Sequence, residues 1–187
     1  MSKAVLISIQ PKWCGLIFFG TKTIEMRKSR PKIETPFKCY IYCTKAPKGW
    51  VRIDKNIRLD TKVIGEFTCD KIACYSYNSD GYGIKEEKEL CADSGLTPKE
   101  LYHYLQGLKP YAWHISDLVI YDNPKELSDF EGLRKTKFGY QPIEIKRPPQ
   151  SWCYVDELEG KKYDIEELKN YVSQNINQEE EWDGDEK

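Results

Sequence analysis

The chain has 187 residues, a formal net charge of -1 and 40% hydrophobic residues, enough for one domain with a real core and a decorated terminus. Its apolar runs fall short of the roughly 20 residues that span a bilayer, and its start, Met-Ser-Lys-Ala-Val-Leu, lacks a secretory leader pattern, so the expectation is a cytoplasmic protein with no membrane partner. Seven cysteines without a Cys-x-x-Cys pair, and only His103 and His114 to complete a site, predict reduced, mostly buried thiols, no metal and no cofactor.

The small net charge hides a division. Residues 156–187 carry 12 acids and 4 bases, whereas residues 1–155 carry 25 bases and 18 acids, and residues 1–62 alone carry 14 bases and 4 acids. A basic body with an acidic tail fits a polyanion-binding surface, with the tail either competing for it or meeting a protein partner.

In chain order, Ala4–Ile9 reads as a short apolar strand. Pro11 suits the first turn of a helix whose Trp13, Leu16, Ile17 and Phe19 give a wide apolar surface. Gly20 fits the left-handed cap that reverses the chain. The next stretch, Gly20-Thr21-Lys22-Thr23-Ile24-Glu25-Met26-Arg27, packs two cations, a carboxylate and two hydroxyls into eight residues. As a strand it places Thr23, Glu25 and Arg27 on one face and Ile24 and Met26 on the other. Such a face is either a solvated, self-neutralising surface or a site that binds an anion or a polar base, or moves a proton.

Arg30–Pro36 is a loop with two prolines. Phe37–Thr44 is a strand with Cys39, Ile41 and Cys43 on one face and Tyr40 and Tyr42 on the other. Residues 52–62 read as either a loop or a ragged strand. Lys62–Tyr75 gives the longest strand signal, with Gly65 marking a bulge or a close approach and Glu66 beside it, either on a solvated edge or held for a purpose. Residues 76–84 read as a polar, tyrosine-containing loop, and Glu86–Asp93 as a short helix.

Thr97-Pro98-Lys99-Glu100 is a helix start, with Thr97 as cap and Glu100 three residues on. Leu101, Leu105 and Leu108 give its buried stripe. Tyr111–Tyr121 reads as one strand ended by Asn123-Pro124, with Trp113 in the core. Lys125–Phe130 reads as a short helical segment or turn, and Trp152–Val155 as a closing strand after a polar turn. Bases at 134–137 followed by Phe138 and Tyr140 fit the pairing of cations and aromatics used on single-stranded nucleic acid. Asp164 and Glu167 start a last helix with Ile165, Leu168, Val172 and Ile176 on one face, and residues 178–187 form an acidic, disordered tail.

Many short strands with a few helices predict an α+β domain, a small β-barrel with helical decoration, over 1–155, a C-terminal helix over 156–177 and the tail over 178–187. Gly20-x-Lys22-x-x-Glu25-x-Arg27, directly after a helix near the N-terminus, resembles the signature of the ASCH domain family of the PUA-like superfamily. The resemblance covers roughly residues 4–155 and implies a PUA-like barrel with a cleft lined by the signature residues. It also implies RNA binding or chemistry on modified nucleosides. Some small ASCH proteins remove the acetyl group from 4-acetylcytidine with the signature lysine, a threonine where this chain has Glu25, and a glutamate on a later strand.

Two functions follow as expectations. The leading one is binding of RNA or a modified nucleobase, with Lys22, Glu25 and Arg27 reading the base, the basic N-terminal half holding phosphate, and Thr23, Lys28 and Trp152 as further contacts. The alternative is a metal-independent hydrolase of a modified nucleoside or RNA, with Lys22, Glu25 and Glu66 as catalytic groups. In the second, Glu25 is a general base and Lys22 stabilises the oxyanion.

Overall fold

The computed structural model describes residues 2–46, 60–75, 87–105 and 108–158. The expected helix over 164–176, the acidic tail, the loop over 76–84 and most of the ragged region over 52–62 lie outside the described residues.

Strand β1 (Lys3–Ile9) is apolar on both faces, and Ala4 to Ile7 are all fully buried. A strand with no polar face belongs in the middle of a covered sheet. It takes that place, pairing parallel with β3 (Phe37–Cys43) and antiparallel with β10 (Trp152–Asp156). Outside these lie β4 (Lys62–Cys69) and β7 (Ser116–Lys125) on one side, and the hairpin of β8 (Glu131–Thr136) and β9 (Gly139–Glu144) on the other. The order of the seven strands is β7-β4-β3-β1-β10-β8-β9.

Strand alternation sorts the two faces of this sheet. Val5, Ile7, Ile9, Cys39, Ile41 and Cys43 turn to one side, where Cys14 and Ile17 of helix α1 (Pro11–Phe18) and the fully buried Trp113 complete the main core. Each large apolar side chain buried there stabilises the fold by about 1.5–3 kcal/mol before ordering costs. Tyr40 turns to the other side and meets Phe130 edge-on at 4.9 Å.

A second, three-stranded sheet has the order β2 (Ile24–Arg27), β6 (Tyr111–His114) and β5 (Ile72–Cys74). One side of it carries Ile24, Met26 and Ala112 into a smaller core with Leu90 of α2 (Glu87–Ser94) and Leu101 and Leu105 of α3 (Pro98–Leu105). The reciprocal Thr97–Glu100 cap starts α3 as read from sequence: Thr97 N–H and Oγ1–H donate to Glu100 Oε2, and Glu100 N–H donates to Thr97 Oγ1. Leu108, expected in its stripe, is 51% exposed because α3 ends at Leu105 and the chain leaves the helix face.

Two expected long strands are each divided between the sheets. Residues 62–75 break at Asp70-Lys71 into β4 and β5, and residues 111–125 break at Ile115 into β6 and β7. The two breaks are tied together, because His114 N–H donates to Lys71 O at 2.9 Å and His114 Nδ1 lies 2.6 Å from Asp70 Oδ1. These crossings carry the chain from one sheet to the other, so among the described residues the strands form two sheets and no closed barrel. The α+β class holds and the barrel closure does not. Strand β7 also runs past Asn123-Pro124 to Lys125, which an edge strand permits.

No described helix is long and apolar enough to cross a membrane. Among the described residues no cluster of histidine, cysteine or carboxylate groups could hold a metal, and all seven cysteines are free.

Candidate functional site

The left-handed Gly20 (φ 69°) and two hydrogen bonds to Leu16 O, from Thr21 N–H and Lys22 N–H, turn the chain from α1 into the signature strand. β2 then lies between the two cores. Its Ile24 and Met26 face α2 and α3, while Glu25 pairs across the ladder with Trp113 of the main core. The charged face is therefore roofed, with Lys22 3%, Glu25 7% and Arg27 7% exposed.

Burial is tolerated because the charges meet. Lys22 Nζ lies 3.1 Å from Glu25 Oε2, and Arg27 Nη2 lies 3.0 Å from Glu25 Oε1. Further donors reach other elements: Lys22 Nζ donates to Ser94 O at 2.8 Å, Arg27 Nη2 to Ser8 O at 2.7 Å and Arg27 Nη1 to Ser151 Oγ at 3.2 Å, while the buried Arg27 Nε has no hydrogen-bond partner among the described residues. Trp13 adds its ring 5.5 Å from the lysine nitrogen. The signature thus ties β2 to the end of α2, to β1 and to the turn before β10. Buried ions joined this way specify position more than they add stability.

Of the expected site residues, the structure brings Lys22, Glu25 and Arg27 together. It does not bring Glu66 to them. Glu66 stands opposite Tyr40 in the β3–β4 ladder, on the sheet face turned away from Cys39, Ile41 and the main core. There it accepts from the Tyr121 hydroxyl and pairs with Lys38 Nζ at 2.9 Å, which also reaches Glu157 at 3.5 Å. Burial and this contact hold the Tyr121 hydroxyl well above its usual range. Register shifts flank Gly65 in the ladder with β7, where its lack of a side chain permits the close approach of Val119 O.

Thr23 is exposed, just before β2, and its backbone bridges Asp93 O and Ile115 N–H. Lys28 and Trp152 lie beyond the other end of the strand. There an open groove of about 830 Å³ is lined by Lys28, Ser29, Arg30, Pro31, Lys32, Ile33, Glu34, Thr35, Ile72 and Tyr111. Three cations face one carboxylate in it.

The groove adjoins the signature strand, since Lys28 follows Arg27 and Tyr111 is the ladder partner of Arg27. Its loop is pinned on both sides. Trp152 Nε1 donates to Ser29 Oγ at 3.2 Å, Lys32 N–H donates to the Tyr154 hydroxyl at 2.6 Å, and a cis Thr35–Pro36 peptide closes it. Lys28 Nζ lies 5.1 Å above the Tyr104 ring, whose hydroxyl burial holds above its usual range.

Arg30, Lys32 and Tyr111 went unmarked in the sequence reading, where residues 30–36 are only a loop. Their signal is the alternation Lys28, Arg30, Lys32 around Pro31, directly after the signature.

The fold matches a solved protein. A crystal structure of a serine-to-alanine variant of ASCH from Zymomonas mobilis superposes with a TM-score of 0.52 at 19% identity, covering 91% of this chain and 95% of that chain. The chain has an ASCH fold. A tyrosine-to-phenylalanine variant of the same protein gives a TM-score of 0.51 at 19% identity, with 91% and 96% covered. The unsubstituted Zymomonas ASCH gives 0.50 at 20% identity, with 91% and 94% covered. No protein-family model and no curated protein matches the chain.

Proposed function

We propose that this chain is an ASCH-family binding protein for RNA or a modified nucleobase. The supporting observation is the groove after β2, where Lys28, Arg30 and Lys32 outnumber Glu34 and an apolar and aromatic wall of Ile72 and Tyr111 lies among them. Cations for phosphate beside an aromatic wall for bases are the two elements that single-stranded nucleic acid requires. The roles of the expected residues then divide. Lys28 contacts the ligand, Trp152 holds the groove loop through Ser29, and Arg27, Glu25 and Lys22 fix the strand from which the loop departs.

The hydrolase alternative has less support. Its third group, Glu66, faces away from Lys22 and Glu25, and both oxygens of Glu25 already face a cation. The test is incubation of the full chain with 4-acetylcytidine and short RNAs, followed by mass spectrometry and by fluorescence anisotropy on labelled RNA. The reading predicts retained RNA, released by salt, with no turnover. Turnover lost in Lys22→Ala without loss of folding would establish the enzyme instead.

A further inference from the structure

A second open groove of about 600 Å³ lies beside β10, lined by Gly132, Leu133, the 143–150 segment, Cys153 and Tyr154. Its make-up is similar to the first: two cations, Lys146 and Arg147, against one carboxylate, Glu144, with apolar Ile143 and Ile145 beside them. Lys146 and Glu144 are 3.8 Å apart with each side chain about four-fifths exposed, so that pair leaves the lysine free to meet a phosphate.

Tyr154 links the two grooves. It lines the second, while its hydroxyl accepts from the backbone N–H of Lys32, which lines the first. The rings on either side continue it, Trp152 at 5.4 Å and Tyr140 at 5.6 Å. Lys3 Nζ lies over this ridge, 4.2 Å from the Tyr140 ring and 5.9 Å from that of Tyr154. A basic groove, a row of aromatic rings carrying a cation and a second basic groove together offer more phosphate and base contacts than one nucleoside can use.

We infer that the two grooves are one track for a single strand of nucleic acid, entering at Lys28, Arg30 and Lys32, crossing at Tyr154 and leaving at Lys146 and Arg147. The ligand is then an oligonucleotide and not a free nucleoside. This rests on the proposed binding function and narrows it to a polymer. A strand touching both grooves meets five lining cations and Lys3, whereas a short one meets three, so affinity and salt dependence both grow with length.

The test uses the full chain and labelled oligouridylates from two to about ten nucleotides, with two variants of exposed residues, Lys146→Ala/Arg147→Ala and Arg30→Ala/Lys32→Ala. The inference predicts that the first variant weakens the long oligomer about tenfold, leaves the dinucleotide unchanged, and flattens the long oligomer's slope of log affinity against log salt by about 1.4. Long oligomers held equally by wild type and that variant, but lost in Arg30→Ala/Lys32→Ala, would overturn the track and leave the first groove as a binding site. Binding indifferent to both variants would overturn the track and the proposed function together.

Discussion

Replacing Glu25 by glutamine keeps the side-chain shape and removes the only charge between two buried cations. In the wild type the carboxylate lies 3.1 Å from Lys22 Nζ and 3.0 Å from the Arg27 guanidinium. At an effective dielectric near 20 each contact is worth about 5 kcal/mol before desolvation is subtracted. The variant keeps the bonds of Lys22 to Ser94 O and of Arg27 to Ser8 O and Ser151 Oγ, which offsets part of the loss. Removing one partner of a buried pair costs about 3–5 kcal/mol, and with those bonds kept the lower end, about 3 kcal/mol, is expected. For a domain of this size that lowers Tm by about 10 °C.

Lys22→Met is the control. It leaves Glu25 paired with Arg27 and gives up one cation and the Ser94 carbonyl's partner, so it loses only about 1–2 kcal/mol. Urea unfolding followed by far-ultraviolet circular dichroism measures both. The reasoning is refuted if Glu25→Gln is within about 0.5 kcal/mol of wild type, or if Lys22→Met is the more damaging change.

Two glycines should separate by what a methyl would meet. A Cβ at Gly65 would lie 2.4 Å from Val119 O, a backbone atom, so Gly65→Ala should cost about 3 kcal/mol, whereas at Gly132 the nearest atoms are Ile143 and Ile145 side-chain carbons at 3.0 Å and the loss should be nearer 1 kcal/mol; denaturant midpoints decide the order. Glu100 is held down to about 2, from an ordinary 4.5, chiefly by the Lys12 ammonium and then by the Thr97 backbone and hydroxyl. A depressed carboxylate adds stability that is present above pH 4.5 and is lost as pH falls towards 2. Because Glu100 is exposed, the effect is about 1 kcal/mol after screening, and Glu100→Gln should remove that part of the acid sensitivity in melts between pH 6 and 2. Glu66→Gln, on the far face of the sheet, should leave RNA affinity within about twofold of wild type while lowering Tm, as anisotropy and thermal melts would show.

Local chemistry made much of this molecule legible. The Thr97–Glu100 cap, the left-handed Gly20 and the mainly apolar β1 each follow from one residue pattern, and each stands where that pattern puts it. Alternation placed Cys39 and Ile41 apart from Tyr40, and apolar neighbours placed Trp113 in the core. The breaks at Asp70-Lys71 and Ile115 were not legible, because a strand that changes sheets keeps its apolar run and its β-branched residues. The hairpin of β8 and β9 was missed because bases at 134–137 conceal its alternation on an exposed edge. Charges in a sequence read as surface, yet Lys22, Glu25 and Arg27 are buried because Trp13, β1, the end of α2 and the turn before β10, most of them distant in the chain, close over them. Alternation with Phe67 and Cys69, both in the main core, turns Glu66 to the other face, where Lys38 and Tyr121 meet it from strands far apart in the chain.

The most direct test of the binding proposal reverses the groove's charge. Arg30→Glu/Lys32→Glu changes two exposed side chains, and circular dichroism and Tm should match wild type. Three phosphate contacts give a single-strand salt slope near -2, or about a hundredfold affinity change per tenfold salt. With a labelled oligouridylate short enough to touch only the first groove, at low salt, the account predicts that the variant loses at least about a hundredfold in affinity and most of its salt slope. Affinity and slope equal to wild type in the folded variant would contradict it.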